Sequence, residues 1–470
     1  VASTFVPSKG KAASVDKSKE EILYKNYFTG GLGNYTTIFG ELYLTENVGD
    51  NDYVAAMVKH LSSQGGIENI PVKDSYLNTS LDLTYGSKTS DYSWTTDLGY
   101  QIQKYHWYGL PSEYGTSLTA NERDAIYNRV DGGQTYNNFY LGGKISFNES
   151  IFNEVNLKYN RFWDGYATEE NRFIAKPSFQ FEIEDKTIKT NIIIDYVGGT
   201  FDKDYASLTA INYGFTNFGV SPSFAVQKDN WNINIGASVF YSLDTKHSEN
   251  QLFFYPQVNA SLKVVDDWMI FYAGLDGGLE QNSYRDFSTK NSFLSPNLII
   301  APTNKQYDIF AGLKGKLSNY VSYNLKGSYV SERNKGLFLS NFYNENILVQ
   351  EEFKYGNSFG VVYDNIKTLG FFGELKADFS KNITFGINGT VNSFTSDIQQ
   401  EAWNLPSIQL GTNLSVNITK KWYAGADVFF VGKRKDLIQR IDLVTFLPEM
   451  KVQNIDSYLD ANAHVGYKYN

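Results

Sequence analysis

The sequence predicts an all-β protein, a transmembrane antiparallel up-and-down β-barrel, on three observations. Apolar and polar residues alternate in runs that restart about twenty times, and a period of two is typical of a strand with one apolar and one polar face. Most runs are roughly 9–13 residues long, and a tilted strand needs about 9–11 residues to cross a bilayer. Almost every tryptophan stands at the end of a run, where the edge of a membrane would lie.

The composition agrees with a barrel and excludes other classes. Mean hydropathy is −0.36. A membrane-spanning helix needs about 18 consecutive apolar residues, and no stretch of the 470 residues comes close to that length. The net charge of −9 argues against a nucleic-acid partner. The chain has no cysteine, so disulfides and thiol chemistry are excluded. An aromatic content of 16% also fits a large soluble sandwich or propeller, but the runs are longer than soluble strands usually are.

Two regions are expected, a polar segment over residues 1–25 and a barrel over residues 26–470. The first segment is rich in lysine and too poor in apolar residues to build a core of its own. Because the chain starts at Val1 without a signal peptide, we expect that its start has been processed or trimmed. The sequence ends at Asn470 on what is predicted to be a downward strand. We therefore expect two further strands in the complete protein, 22 in all, and a seam about 10 Å wide between the first and last visible strands.

The connections between runs alternate in length, as in bacterial barrels with short periplasmic turns and longer external loops. The first four strands are predicted at residues 26–33, 36–45, 53–63 and 76–85. Short connections then follow near residues 86–91, 147–152, 183–187, 227–231, 264–268, 317–319, 380–382 and 419–421. Longer ones lie between them, at residues 107–134, 163–172, 200–217, 243–250, 280–305, 333–366, 396–405 and 432–457. We interpret residues 357–365 as the upper part of the strand that runs to Phe379.

The tryptophans divide into two predicted girdles at the membrane interfaces, since indole favours the level of the lipid head groups. One group follows short turns and is assigned to the periplasmic side: Trp94, Trp231, Trp268 and Trp422. The other group lies beside long loops and is assigned to the external side: Trp107, Trp163 and Trp403. The two levels should be separated by an apolar band about 25 Å tall. The alternative is a set of core tryptophans in a soluble fold, which would have no reason to favour strand ends.

Several segments resemble the barrel of the TonB-dependent receptor-like proteins of Bacteroidota. They include HLSSQGGIENI (60–70), YHWYGLP (105–111), GGLEQNSYRDF (277–287), EAWNLP (401–406) and KWYAGADVFFVGKRKDL (421–437), and the resemblance spans nearly the whole chain. It implies a bacterial outer-membrane barrel, and such receptors generally have 22 strands. Receptors also carry a large N-terminal plug, which the polar segment before the first strand cannot build. Energised uptake by this chain alone is therefore not expected.

No catalytic or metal site is predicted, and no cofactor. The four histidines have no partner at metal-ligand spacing, and His106 near an aromatic girdle is better explained as an interfacial residue than as a catalytic one. The long external loops are the best place for recognition of a solute. Candidate recognition residues, suited to sugars or peptides, are Tyr105, His106, Trp107, Tyr108, Tyr284 and Arg285. The alternative is that these residues form the girdle and an ordinary rim salt bridge, and the sequence favours it.

Two functions remain open. The first is a transport or receptor barrel that passes or receives a solute without a plug of its own. The second is a non-transporting barrel that serves as a subunit or scaffold of an outer-membrane protein complex. The expected partners are outer-membrane lipids and lipopolysaccharide, and other outer-membrane proteins under the second hypothesis. Inward-facing lysines are expected to line the lumen in either case: Lys144, Lys158, Lys263, Lys314, Lys326 and Lys376.

Overall fold

The computed structural model describes residues 25–111, 114–115, 118–184, 186–344, 350–380, 382–441 and 447–469. The predicted polar segment, residues 1–25, lies outside them except for its last residue. Within the described residues the chain forms two short helices, α1 (Ala120–Tyr127) and α2 (Tyr284–Lys290), and 22 strands. The strands are β1 (Tyr27–Gly33), β2 (Thr37–Asn47), β3 (Asp52–Ser63), β4 (Tyr76–Lys88), β5 (Tyr92–His106), β6 (Gly133–Phe147), β7 (Phe152–Asp164), β8 (Glu169–Ile183), β9 (Lys186–Phe201), β10 (Ile211–Lys228), β11 (Trp231–Asp244), β12 (Asn250–Val265), β13 (Met269–Glu280), β14 (Thr303–Ser318), β15 (Val321–Ser340), β16 (Phe359–Ser380), β17 (Ile383–Ser396), β18 (Ile408–Asn417), β19 (Trp422–Val431), β20 (Arg434–Ile441), β21 (Pro448–Ile455) and β22 (Tyr458–Tyr467).

Twenty of these strands form one antiparallel sheet in which each strand pairs with its neighbours along the chain. The exceptions are β20 and β21, which form a separate hairpin between β19 and β22. The predicted up-and-down order of about twenty strands is therefore confirmed. Among the described residues β1 pairs only with β2, and β22 only with β19. The width of the seam and the total of 22 strands stay predictions.

The connections confirm the predicted rhythm of short turns and long loops. At one end of the sheet the fully described connections are tight turns: 48–51, 89–91, 148–151, 229–230, 266–268, 319–320 and 418–421. At the same end only two residues separate β8 from β9, and two separate β16 from β17. The longest connections lie at the other end: 107–132, 281–302, 341–358 and 432–457. The loop expected at 163–172 is shorter than predicted, because β7 and β8 continue to Asp164 and from Glu169 and leave only 165–168 between them. Strand β16 begins at Phe359, so residues 359–365 do belong to the strand that includes Phe379.

Strand β14 shows the two faces of the sheet. Ile309, Leu313 and Leu317 are exposed on the outer face. Lys314 and Lys316 alternate with them and fall on the inner face. There the Nζ of Lys314 lies 5.5 Å from the centroid of the Tyr272 ring. The hydroxyl of Tyr272 in turn donates to Asn324 Oδ1 (2.6 Å), so the inner face carries a polar network while the outer face is apolar.

The four tryptophans of the predicted periplasmic girdle stand at the tight-turn end of the sheet. Trp231 and Trp422 are the first residues of their strands, Trp94 is near the start of β5, and Trp268 lies in the turn before β13. Trp231, Trp268 and Trp422 are each almost half exposed, at 47%, 45% and 48%. Their placement at one level of a membrane interface stays a prediction.

The prediction of an external girdle is wrong for two of its three tryptophans. Trp107 and Trp403 are each 1% exposed and lie under loops that fold over the end of the barrel, so neither ring reaches lipid. Trp163 remains at an outward position near the end of β7, with its ring 6.2 Å from that of Tyr100. A tryptophan beside a long loop has two ways to leave water, into lipid or under the loop, and the sequence pattern does not distinguish them. Among the described residues no helix is long and apolar enough to span a bilayer.

Two neighbouring residues of β17 provide a test of the faces. Ile387 is 45% exposed on the outer face, and Asn388 follows it on the inner face. We predict that Ile387→Lys lowers the free energy of unfolding of the barrel in lipid vesicles by about 2–4 kcal/mol, which is the cost of a lysine at a lipid-facing position near mid-membrane. The matched variant Asn388→Lys should change it little. Urea titration in vesicles measures both, and equal losses would contradict the assignment of the faces.

Candidate functional site at the mouth of the barrel

The long connection 281–302, called the strap from here on, crosses the interior of the barrel at its long-loop end. It contains α2 and joins β13 to β14. Tyr284 of the strap packs against Tyr136 of β6, with 6.0 Å between ring centroids. Phe287, one turn further along α2, packs against Phe338 of β15 at 5.9 Å. Because β6 and β15 stand far apart in the sheet order, one segment can touch both only where the sheet curves round and the segment spans its inside.

The helix of the strap is held by packing and by one cap. Ser283 is the N-cap, and its Oγ accepts the backbone N–H of Asp286 at 3.0 Å. Tyr284 and Phe287 are three residues apart and so lie on one face of the helix, where both are buried. A helix this short is not stable in isolation. Its conformation therefore depends on the walls that surround it.

Glu170 of β8 is the main polar anchor of the strap. Its side chain is buried, with the residue 2% exposed. The carboxylate accepts the hydroxyl of Tyr213 (2.6 Å) and the backbone N–H groups of Tyr284 (2.6 Å) and Arg285 (3.2 Å). A buried carboxylate is tolerated only when donors surround it, and here two of the three donors belong to the start of α2. The same bonds therefore stabilise the carboxylate and fix the strap.

Arg172, two residues along β8, forms a second anchor. Its guanidinium donates to both carboxylate oxygens of Asp195 on β9, from Nε at 2.9 Å and from Nη2 at 2.7 Å. Nη1 donates to Asp286 of the strap at 2.6 Å. The Arg172 and Asp195 side chains are 16% and 8% exposed and that of Asp286 is 37% exposed, so a buried pair on the wall reaches a partly exposed carboxylate on the strap. Its geometry, bidentate on one partner, is the one in which an ion pair contributes specificity as well as energy.

Asp164 and Tyr284 form a third connection. Tyr284 is fully buried and donates its hydroxyl to Asp164 Oδ2 at 2.8 Å. Burial raises the pKa of Tyr284 well above its ordinary value, and the nearby Asp164 carboxylate raises that pKa further. The phenol consequently stays protonated and remains a donor throughout the physiological pH range.

Apolar contacts hold the strap on the other sides. One buried cluster joins it to the walls: Tyr136, Phe162, Val197, Phe201, Tyr213, Tyr284, Phe287, Leu294, Leu298, Ile300 and Val361. Leu294 also forms an isolated parallel β-bridge with Phe359 at the start of β16. The Tyr363 hydroxyl accepts the N–H of Ala301 (2.9 Å) and donates to the carbonyl of Ile299 (3.0 Å). The strap is thus fastened along its whole length.

Other long connections form a roof beside the strap, defined here by the described residues of 64–75, 107–132, 202–210 and 341–358. Trp107 lies between Tyr166 and Phe353, with ring centroids 5.3 and 5.7 Å away. Asn357 Nδ2 donates to the Trp107 carbonyl at 2.9 Å. These contacts join loops from distant strands of the sheet, so the external surface is a packed layer and not a set of separate loops.

An ion pair fastens two of the roof loops. Lys203 Nζ lies 2.5 Å from Glu351 Oε1, and Lys354 Nζ lies 2.8 Å from Glu351 Oε2. Burial tends to raise the pKa of Glu351, but the hydrogen bonds from the two lysines outweigh it and hold that pKa below its usual value. The pair therefore stabilises the roof while Glu351 is ionised.

The wall below the strap is polar and charged. All six lysines predicted to face inward fall on the inner face by strand alternation. Lys158 Nζ lies 4.7 Å from the centroid of the Tyr140 ring, and the Tyr140 hydroxyl reaches Asp82 at 2.5 Å. The Tyr140 ring passes over Gly99, where an added Cβ would come within 2.1 Å of it. A side chain at position 99 would thus displace Tyr140 and open its bond to Asp82.

The six candidate recognition residues lie at the mouth but do not form one external surface. The prediction is wrong for Trp107 and Tyr284, which are buried and cannot present a ring to a solute. Tyr105 packs on Tyr136 at 6.5 Å, and Tyr108 on Phe293 at 5.1 Å. His106 Nδ1 is 2.7 Å from the Ser75 carbonyl, and Arg285 Nη1 is 3.6 Å from Asp286. A recognition role for these four residues stays a prediction.

The anchors of the strap were not found from the sequence. Glu170, Arg172 and Asp195 are charged residues within strands, and strand alternation assigns them to the inner face, as it does many other charged residues. Their one distinguishing signal is that Glu170 and Arg172 stand close together at the start of a strand, beside the external end. Nothing in the sequence pairs them with the segment around Asp286, more than a hundred residues later.

Comparison with known proteins shows the fold alone. No family model matches the chain, and no curated protein matches it. The ferripyoverdine receptor of the Pseudomonas aeruginosa outer membrane is similar with a TM-score of 0.65 at 12% identity, over 96% of this chain and 67% of that chain. The FrpB iron transporter from Neisseria meningitidis (F3-3 variant) gives 0.66 at 10% identity, over 94% and 74%. The copper transporter OprC gives 0.60 at 11% identity, over 95% and 71%.

The chain spans 64% of the length of the receptor in the FpvAI–pyocin S2 complex, to which it is also similar (TM-score 0.65, 12% identity, 95% of this chain). The similarity therefore confirms a barrel of the kind found in outer-membrane receptors and transporters. It does not extend to their substrates.

The anchoring role of Glu170 can be measured by hydrogen exchange. We predict that Glu170→Gln speeds exchange in peptides covering 283–290 by about tenfold or more, because a lost hydrogen bond to a charged group costs about 1.5–3 kcal/mol and 1.4 kcal/mol is a factor of ten. Glu169→Gln is the matched control, since Glu169 makes an exposed ion pair with Arg161 at the rim. Equal protection of the strap in both variants would show that the carboxylate does not anchor it.

The Glu351 ion pair should make the roof sensitive to acid. A carboxylate whose pKa is lower in the folded state contributes stability above its unfolded pKa, about 4.3 for Glu, and loses it as pH falls through the folded pKa. We predict that limited proteolysis within the described parts of 341–358 accelerates below about pH 4. In Lys203→Gln the acceleration should be smaller, because part of the pairing is already lost. A pH profile unchanged by Lys203→Gln would contradict the pairing.

Proposed function

We propose that the chain forms a receptor-type barrel of the bacterial outer membrane, of the TonB-dependent receptor-like kind, that passes or receives a solute through a lumen closed on the external side by the strap. The observation that carries the proposal is the strap itself: one segment, anchored by buried charges, crosses the inside of a barrel whose outer face is apolar and whose wall is polar. Transmembrane barrels with polar interiors hold water-filled channels or plugged lumens.

The polar wall supports a conducting role. The Nζ groups of Lys158, Lys314 and Lys326 lie over the rings of Tyr140, Tyr272 and Phe310, at 4.7, 5.5 and 4.5 Å from the centroids. Such side chains keep their charge in contact with water in the lumen. Below the strap the interior is therefore suited to a hydrated solute, and the strap is the obstacle that such a solute meets.

The anchors of the strap support control of passage. The strap is held on the β7–β9 wall by hydrogen bonds and ion pairs, which a ligand or a partner protein can replace one at a time. Segments that gate a site are commonly ordered by a few specific contacts of this kind. Enzymatic activity is no part of the proposal, and the similar solved structures include iron and copper transporters.

The roof favours a second candidate, a non-transporting subunit or scaffold of an outer-membrane protein complex. Its loops interlock through Trp107, Phe353 and Asn357 and make a rigid external surface. A rigid surface suits a stable protein contact, because little side-chain or loop entropy is lost on binding. Under this candidate the strap fills the mouth for structural reasons only.

Conductance of the full chain in planar lipid bilayers separates the two candidates. We predict that replacing residues 284–298 by a short Gly–Ser linker raises the single-channel conductance severalfold, because it removes the obstacle and leaves the strands in place. The control is Glu169→Gln, which alters the rim outside the lumen and should conduct as the unmodified chain does. If the shortened chain inserts as a folded barrel and conducts no better than the unmodified one, the transport proposal is contradicted and the scaffold is favoured.

A further inference from the structure

A second feature of the mouth is a cavity of about 390 Å³ between the end of the strap and the wall formed by β10–β15. It is lined by Ala301 and Pro302 of the strap and by residues from the upper parts of six strands and one connection: Phe215, Ser242, Asp244, Glu249, Gln251, Phe253, Leu279, Asn304, Arg333 and Asn334. Its size falls in the range usual for small-molecule sites, about 300–1,000 Å³. None of the strap anchors belongs to it.

The floor of the cavity is a fixed aromatic platform. Phe253 lies nearly parallel to Tyr255, with an interplanar angle of 10° and 6.3 Å between centroids. Tyr255 is 3% exposed and is held by Phe240 edge-on at 5.7 Å and by its hydroxyl bond to Asn304 Oδ1 at 2.9 Å. The ring of Phe253 thus has little freedom. It presents its surface to the cavity without needing to be ordered by a ligand.

The walls offer hydrogen-bonding groups of every kind. Gln251 and Asn304 contribute amides, Ser242 a hydroxyl, Arg333 a guanidinium and Glu249 a carboxylate. These groups surround an aromatic floor, so the cavity combines an apolar face with a polar rim. That combination marks a site that orients a small ligand by its hydrogen bonds.

A buried amide lies on the strand next to one of the lining residues, Ser242. Asn217 stands opposite Ser242 in the register of β10 and β11 and is 2% exposed. Its Nδ2 donates to Gln281 Oε1 at 2.6 Å, while its Oδ1 has no hydrogen-bond partner among the described residues. A buried acceptor without a partner is costly. A donor carried by a ligand or by a water that the ligand orders would remove that cost.

The charges of the cavity exclude several ligand classes. Asp244 and Glu249 would repel an anion such as a phosphate or an anionic metal chelate, and Arg333 would offset part of their attraction for a cation. Among the described residues no group of three or more His, Cys, Asp or Glu side chains is placed to hold a metal ion. A ligand without net charge that both donates and accepts many hydrogen bonds fits best.

From this combination we infer that the cavity binds a neutral saccharide of one or two sugar residues. The apolar C–H face of a pyranose would lie on the Phe253 ring, and its hydroxyls would meet the amides, the guanidinium and the carboxylate of the walls. Because Ala301 and Pro302 form one side, a bound sugar would touch the strap as well as the barrel wall. The inference names a solute class for the proposed receptor and in that sense rests on the proposed function.

Calorimetry of the full chain tests the inference directly, with glucose and maltose as probes and a detergent that has no sugar head group. We expect saturable binding of at least one of the two sugars by the unmodified chain. Phe253→Ala should weaken it tenfold or more, through loss of the platform. Phe254→Ala is the matched control, because the next side chain points to the lipid face, 69% exposed, and should bind as the unmodified chain does.

A second variant separates a loss of binding from a loss of the fold. Gln251→Ala leaves the aromatic platform intact and should weaken binding severalfold while circular dichroism shows an unchanged strand signal. Absence of saturable binding to both sugars, or tighter binding of free arginine or glutamate than of either sugar, would overturn the inference. So would equal binding by Phe253→Ala and Phe254→Ala.

The two proposals fail in different ways. If the unmodified chain binds a sugar but neither it nor the chain with the shortened strap conducts, the saccharide site is supported and the transport proposal is contradicted. If the chain with the shortened strap conducts but the unmodified chain binds neither sugar, the transport proposal is supported and the saccharide site is contradicted.

Discussion

The structure depends on one constraint: each strand must be apolar on one side and polar on the other while its backbone groups are paired with neighbouring strands. In lipid an unpaired N–H or C=O costs several kcal/mol, so only a sheet that is paired throughout is stable there. Within β14 the constraint is visible residue by residue, with Leu313 outside and Lys314 inside. It places every charged inward side chain within one enclosed space. That enclosure lets Glu170 and Arg172 of β8 meet a segment that joins β13 to β14.

The strap shows how such a space can be closed without a separate domain. An apolar segment alone would find few partners on a polar wall, and a purely polar one would remain hydrated. The strap combines Tyr284 and Phe287, which bury their rings, with Asp286 and two backbone N–H groups, which satisfy buried charges on β8. Glu170 and Arg172 on the wall therefore each have a partner on the strap, and removing either side leaves the other with fewer partners. The closure is specific to this pairing of segment and wall.

Much of the fold was predictable from the sequence, because strand period and turn length are local properties. The alternation around Leu313 and Lys314 and the tight turns each follow from a few adjacent residues. The external end was less predictable. Trp107 and Trp403 satisfy the pattern for a girdle, yet both are buried, because contacts between loops far apart in the sequence decide where those rings lie. Glu170 meets the backbone of Arg285, and Arg172 meets Asp286, only through the curvature of the whole sheet, and no local pattern records that.

Whether the strap closes the lumen and Glu170 holds it there can be measured by thiol labelling. The chain has no cysteine, so a single introduced thiol is the only one that reacts. A single Lys326→Cys variant places a thiol on the inner wall, near the tight-turn end of β15. Its labelling by a membrane-impermeant maleimide is followed in vesicles that carry the barrel with its long loops outward. We predict slow labelling from outside, and labelling faster by tenfold or more when Glu170→Gln is added. Equal rates in the two variants would contradict it.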